Sequence, residues 1–242
     1  SEKFAGASKT YSIEALMGDG RALQAGTSHN LGQNFAKAFG IQFQGRDKMV
    51  QHAWTTSWGL STRFVGAVIM THGDDKGLCL PPRLAPIQVV IVPIYKSDDE
   101  KSKVMETALR VKAMLQDGTR VKVDDRDNVS SGFKFNDWEM RGVPLRLEIG
   151  PKDVEKGSVV LARRDVAGRE GRSFAPQTGL ASTVSGLLSE IHDSLLKRAT
   201  EFRDANIRDP KSYDELKDFV SKSTQYQGWY PYGDWTGGLV PM

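Results

Sequence analysis

The segment Leu80–Pro86, LPPRLAP, constrains the fold of this chain more than any other stretch. Its prolines at 81, 82 and 86 lack backbone donors and fix φ, so neither a helix nor an interior strand can run through it. A domain boundary is therefore expected at 86/87. Before it, TYSIEALM alternates Tyr11, Ile13 and Ala15 with polar partners, GDG turns the chain, and RALQAG follows, which is a hairpin pattern. Leu31, Phe35 and Ala38 then recur at helical spacing. HAWTTSWG reads as a strand, and Leu60, Phe64, Val68 and Thr71 fall on one face of a helix. This first part is expected to be α+β with antiparallel strands.

Beyond the proline block the pattern changes. IQVVIVPIY is a continuous apolar run, as in a strand covered on both faces. Val104, Ala108, Val111 and Leu115 mark an amphipathic helix that Gly118 ends. RVKVDD reads as a strand and FKFNDWEMRG as a short helix. VPLRLEIG points Leu145, Leu147 and Ile149 inward and Arg146 and Glu148 outward, and SVVLARRD adds another strand. Strands alternating with helices predict an α/β domain with a mixed sheet. Val184, Leu188, Ile191, Leu195 and Phe202 continue as a long helix. The expected organisation is thus 1–86, 87–190, and a C-terminal helix and tail over 191–242. The tail's YQGWYPYGDWTGG has no assignable structure.

Several function classes are excluded. No apolar run approaches the roughly 20 residues that span a bilayer, and SEKFAGASKT lacks a signal-peptide pattern, so no membrane partner is expected. Cys79 is the single cysteine, which excludes an internal disulfide and a cysteine zinc site and fits a reducing, cytoplasmic setting. No GxxxxGK[ST] phosphate loop is present. Residues 1–86 carry 9 Lys+Arg against 6 Asp+Glu, residues 87–190 carry 17 against 16, and residues 191–242 carry 7 against 8. A nonspecific phosphate binder would be more one-sided. Any nucleic-acid contact should therefore be selective, with acids and bases interleaved.

Four stretches carry candidate chemistry. QAGTSHNLGQNF, from Gln24 to Phe35, puts glycines, hydroxyls and a histidine ahead of an apolar helix. It suits close approach of a ligand, or simply a helix cap at Ser28 or Asn30. Arg63 in GLSTRFVG stands where a strand feeds a helix, and a cation at that positive helix end is mildly unfavourable unless it serves a ligand. HGDD offers His72, Asp74 and Asp75 to a metal, but a helix-ending turn at Gly73 explains it more simply. FKFNDWEMRGVPLRLEIGPKD mixes acids and bases as readers of base edges do, or as a solvated strand face with cross-strand ion pairs does.

Three longer stretches together resemble prolyl-tRNA synthetase of the archaeal and eukaryotic type. They are EKFAGA…IEALMGDGRALQAGTSHNLGQNF, TTSWGLSTRFVGAVIMTHGDDKGLCLPPRLAPIQVV and DDRDNVSSGFKFNDWEMRGVPLRLEIGPKD. The resemblance covers about residues 1–220. It implies the last part of a class II catalytic domain followed by an anticodon-binding domain, with ATP, Mg²⁺, L-proline and tRNA(Pro) as ligands and a homodimeric parent. Gln24, Thr27, Ser61 and Arg63 would line the ATP side, with Gln24 holding Mg²⁺ through water. Phe4, His29, Trp58 and Gly59 would surround the proline. Glu139, Arg146, Asp153 and, through a shifted loop, Arg169 would recognise the anticodon.

The same resemblance sets the family's first two class-defining motifs N-terminal to Ser1; many members also end in a cysteine-bearing zinc module, but nothing after Lys222 supplies such ligands, so no zinc is expected. The chain is expected to be a fragment that does not activate proline alone, with no covalent catalytic residue of its own. A non-catalytic, synthetase-like tRNA-binding module is the alternative.

Overall fold

The computed structural model describes residues 3–18 and 21–221. The aromatic tail and two residues of the GDG turn lie outside them. Two compact units emerge, residues 72–201 and residues 1–71 together with the described part of 202–242. The division falls at 71/72, and the proline block lies inside the larger unit. Arg120 explains how a donor-poor segment is held there. Its guanidinium donates to the carbonyls of Ala85 and Pro82, each at 2.9 Å, and of Arg83 at 3.3 Å.

In the first unit, β1 (Lys9–Leu16), β2 (Ala22–Gly32) and β5 (Thr55–Leu60) form an antiparallel sheet in the order β1-β2-β5. A short helix α1 (Asn34–Phe39), a small β3–β4 ribbon (Gln42–Gln44 and Val50–His52) and α2 (Arg63–His72) accompany it. The hairpin predicted from TYSIEALM is present. One irregularity matters: Ile13 pairs with Gly26 but Glu14 pairs with Gln24, so Ala25 is an extra residue in β2. This bulge reverses side-chain parity and puts Gln24 on the same face as Thr27 and His29. The helix after β5 does not bury the expected face. Leu60 belongs to β5 and is exposed, Phe64 is exposed as well, and the buried member of α2 is Ala67.

The second unit is a five-stranded mixed sheet in the order β10-β9-β8-β6-β7, from β6 (Val89–Pro93), β7 (Val121–Val123), β8 (Leu145–Ile149), β9 (Ser158–Arg163) and β10 (Arg172–Pro176). β6 runs parallel to β7 and β8, and the other pairs are antiparallel. One face packs on α3 (Asp98–Leu115) and α6 (Leu180–Ala205) through Val104, Ala108, Val111, Val184, Ile191 and Leu195. The other is covered by α4 (Ser131–Met140), whose Trp138 meets Val90, Val92 and Val143. All of β6 is therefore buried, as its unbroken apolar run requires. α5 (Pro151–Lys156), β10 and the amphipathic α7 (Tyr213–Ser221) are short elements.

The turn at 74–77 is sewn to the end of α4. Leu78 N–H donates to the Met140 carbonyl at 2.9 Å, and Leu80 N–H to that of Gly142 at 3.2 Å. Gly142 has φ +71°, and an added Cβ would lie 2.6 Å from Leu78 Cβ and 2.7 Å from its carbonyl carbon. Gly142→Ala should therefore cost about 1–3 kcal/mol. A denaturant midpoint equal to wild type would refute this.

Candidate functional site

The sheet of the first unit has two chemically distinct faces. Cross-strand pairing puts Thr10, Ser12, Glu14, Gln24, Thr27, His29, Ser57 and Gly59 on one, and Tyr11, Ile13, Ser28, Trp58 and Leu60 on the other. On the polar face His29 Nδ1 lies 3.0 Å from the Thr10 hydroxyl, and its ring stacks on Phe4 with centroids 4.6 Å apart. Gly59 lies opposite Thr27, and even a methyl there would come within 3.3 Å of the Thr27 hydroxyl. Glycine thus leaves that hydroxyl open. Arg63 opens α2 and donates from its guanidinium to the Gln24 carbonyl at 3.4 Å, while its backbone N–H reaches the Ser61 hydroxyl at 3.3 Å.

Gln24, Thr27, His29 and Gly59 are thereby drawn to one face, Phe4 joins it by stacking on His29, and Arg63 with Ser61 lies beside the Gln24 backbone. Trp58 is not on that face. It pairs with Ser28, its side chain points to the opposite face, and it is 79% exposed. Strand alternation separates it from its neighbour Gly59, so the two cannot wall one ring from one side. Thr10 and Glu14, absent from the sequence-based set, join the polar face. Alternation in β1 marks them as neighbours of each other, but only the bulge brings Gln24 to Glu14. Among the described residues no three His, Cys, Asp or Glu side chains converge as a metal cage. A carboxylate beside an amide does fit an ion that keeps its waters and arrives on phosphates.

The second unit presents a cavity of about 320 Å³ beside α4, β8 and the loop after β9. Glu139, Arg146 and Arg169, distant in sequence, all line it, with Lys76, Arg163, Arg164 and Arg172. Most of these cations are fixed by acids. Arg146 donates through Nε and Nη2 to Glu148 Oε1 at 3.1 and 3.0 Å, and its guanidinium stacks 4.3 Å from the Phe135 centroid. Arg172 holds the other oxygen of Glu148. Glu148 was expected to face outward with Arg146. It is instead 3% exposed, because α4 covers that face and two guanidiniums neutralise the carboxylate.

Arg164 forks onto Asp74 at 2.8 and 2.5 Å. That hydrogen bond, against the opposing effect of burial, holds the Asp74 carboxyl below its ordinary value. Of the two HGDD carboxylates, Asp74 is thus committed to an arginine and closes the turn to Gly77. Lys76, from the same turn, forms an ion pair with Glu139 at 3.0 Å. Asp153 stands apart from the cavity lining. Its Oδ2 accepts the Gly150 N–H at 2.9 Å at the start of α5, and its Oδ1 lies 3.5 Å from the Ser158 hydroxyl.

Behind α4 a second polar cluster fixes the helix. Asp124, 2% exposed, accepts from Arg126 Nε and Nη2 at 2.8 and 2.7 Å and from Trp138 Nε1 at 2.7 Å. Burial pushes its carboxyl up, but the Arg126 and Trp138 hydrogen bonds outweigh that and hold it at about 2. The buried Lys134 donates to the Asp124 carbonyl at 3.1 Å.

Residues 88–175, which carry this sheet and most of the lining of the cavity, match the family model of the anticodon binding domain. Over about nine tenths of its length the chain is similar to proteins named as proline–tRNA ligases. It is 60% identical over 221 residues to the proline–tRNA ligase of Roseiflexus sp. (strain RS-1), covering 91% of this chain and 46% of that protein. It is 58% identical over 232 residues to the chloroplastic/mitochondrial proline–tRNA ligase of Arabidopsis thaliana, covering 94% and 42%. The Deinococcus radiodurans proline–tRNA ligase is 50% identical over 217 residues, covering 90% and 43%. The chain spans about half the length of the curated relatives it matches. Among the described residues no helix is long and apolar enough to cross a membrane.

Proposed function

We propose that this chain is part of a class II enzyme that activates L-proline with ATP and transfers it to tRNA(Pro). In this proposal residues 1–86 contribute to the activation site, residues 87–190 recognise the anticodon, and residues 191–242 form a C-terminal helix and tail. The observation that carries it is the convergence of Glu139, Arg146 and Arg169 on one cavity. The second and third positions of the proline anticodon are both guanine. Guanine offers acceptors that an arginine fork matches and an exocyclic amino group that a glutamate accepts. Glu139 and Arg146 supply that pair. Asp153 contributes indirectly, by fixing the turn that follows β8.

On the activation side, Arg63, Ser61, Thr27 and Gln24 meet the nucleotide, and His29 with Phe4 meets the proline. Such chemistry needs little covalent help, because positioning and neutralising the phosphates supply most of the acceleration. Mg²⁺ brought in on those phosphates would be held through water by Gln24, with Glu14 beside it. A cytoplasmic, homodimeric parent of the archaeal and eukaryotic subclass completes the proposal. A non-catalytic tRNA-binding module is less favoured, since the relatives named as proline–tRNA ligases match both units and not only the RNA-reading one.

The anticodon reading is tested by binding the chain to RNA hairpins that carry the guanine pair, or an adenine-substituted pair, in the loop. Glu139→Ala and Arg146→Ala should each lose about 1–3 kcal/mol of discrimination. Equal weakening on both hairpins would mean that these residues only position the backbone, and base reading would fail.

A further inference from the structure

A second cavity of about 400 Å³ lies against the first, and Lys76 and Glu139 line both. Their 3.0 Å ion pair is the shared wall. The far side is α4 itself. Phe133, Asn136, Asp137 and Met140 line this cavity, and they recur at i, i+3, i+4 and i+7, one stripe of a helix. Helical stripes of this kind normally enter a core. α4 already has a core stripe, in which Lys134 and Trp138 are buried. In the second stripe Asp137 is buried, but Phe133, Asn136 and Met140 face solvent, with Phe133 53% and Met140 59% exposed.

An outward aromatic ring in a largely apolar cavity that Lys76, Asn136 and Glu139 also line, contiguous with the arginine-lined cavity, suits one kind of occupant. Unpaired bases splay out of a loop and stack on aromatic faces, and their neighbours along the strand arrive with them. The exposed Asn136 amide offers both a donor and an acceptor to a base edge, and Lys76 offers an ammonium to the backbone. The Asp137 carboxylate is already engaged, by Arg141 at 3.0 Å and Arg126 at 2.9 Å, so it does not repel the incoming strand as a free charge would.

We propose that this second cavity is a stacking subsite for an unpaired nucleobase adjoining the guanine pair, with Phe133 as its platform and the Lys76–Glu139 pair as the partition between the two bases. This rests on the anticodon reading above. Stacking tolerates any base, so the subsite adds affinity without demanding a sequence.

The test binds the chain to the guanine-pair hairpin, and to hairpins made abasic at the loop position immediately 5′ or immediately 3′ of the pair. Wild type should bind one of the two abasic hairpins about tenfold more weakly than the intact one. Phe133→Ala should erase that difference and Phe133→Tyr should keep it. If neither abasic hairpin is discriminated, or if Phe133→Ala discriminates as wild type does, the subsite is overturned. Loss of guanine discrimination in Glu139→Ala, measured alongside, reports on the anticodon reading separately. That loss with no effect of Phe133→Ala overturns the subsite alone.

Discussion

Replacing Asp124 with alanine should cost about 3–5 kcal/mol of folding stability, the usual penalty for removing one partner of a buried charged network. Four donors lose their acceptor at once: two from the Arg126 fork, the Arg126 backbone N–H and the Trp138 indole N–H. Arg126 keeps Asp137, at 2.9 Å, but the indole is buried and has no second acceptor among the described residues. The ammonium of buried Lys134 also loses a nearby negative charge. Asp124→Asn should cost less, because its amide oxygen still accepts one bond. The measurement is the denaturant-derived stability of each variant. A loss below about 1 kcal/mol for Asp124→Ala would show the cluster to be incidental.

The same network predicts an acid limb. With a folded value of about 2 and an ordinary carboxyl near 3.9 in the unfolded chain, Asp124 is a depressed group. Its contribution is present above about pH 4 and is lost as pH falls toward 2. Asp124→Asn removes the titrating group, so its stability should vary less over that window than wild type.

How much of this was legible in the sequence depended on whether side-chain pattern or chain register decides a position. The VVIVP run of β6 declares a strand covered on both faces, and both covers exist. Val104, Ala108, Val111 and Leu115 repeat at helical spacing and all four are buried. Such periodicities are properties of one segment, so one segment suffices to read them. Glu148 misled because alternation says only that it shares a face with Arg146. Whether that face meets water depends on α4 and Arg172, which other parts of the chain supply.

Trp58 and Glu14 show the same limit in the sheet. Trp58 adjoins Gly59 in sequence and is set on the opposite face by pairing. Glu14 meets Gln24 only because Ala25 is skipped, and no residue type announces that bulge. Apolar residues in 1–71 are a third case. Tyr11, Ile13, Trp58 and Leu60 form an apolar face that stays exposed among the described residues. Alternation predicts the strand face of Tyr11 and Ile13, whereas Leu60, expected on a helix, ends β5 instead, and in neither case does pattern say what covers the face.

Arg63→Ala, in a longer parent enzyme, should slow proline activation by roughly 30- to 1,000-fold, on the order of 2–4 kcal/mol, with the loss expressed through ATP. Three features of its setting argue for that size. Among the described residues Arg63 has no carboxylate partner, so its charge is not consumed by the fold as those of Arg163 and Arg164 are. It begins a helix, where the dipole disfavours a cation, so local stability gives no reason to keep it there. Its guanidinium reaches the Gln24 carbonyl beside the polar face that carries Thr27 and His29. Arg63→Lys should not restore activity, because a point charge cannot stack on an adenine or fork onto a phosphate. Stability should move by less than about 0.5 kcal/mol, as for an exposed side chain with one long hydrogen bond. His29→Ala, by contrast, should raise the proline requirement more than the ATP requirement. The measurement is proline-dependent ATP–pyrophosphate exchange at varied ATP. An unchanged rate for Arg63→Ala would remove the nucleotide from this face of the sheet, and the activation half of the proposal would go with it.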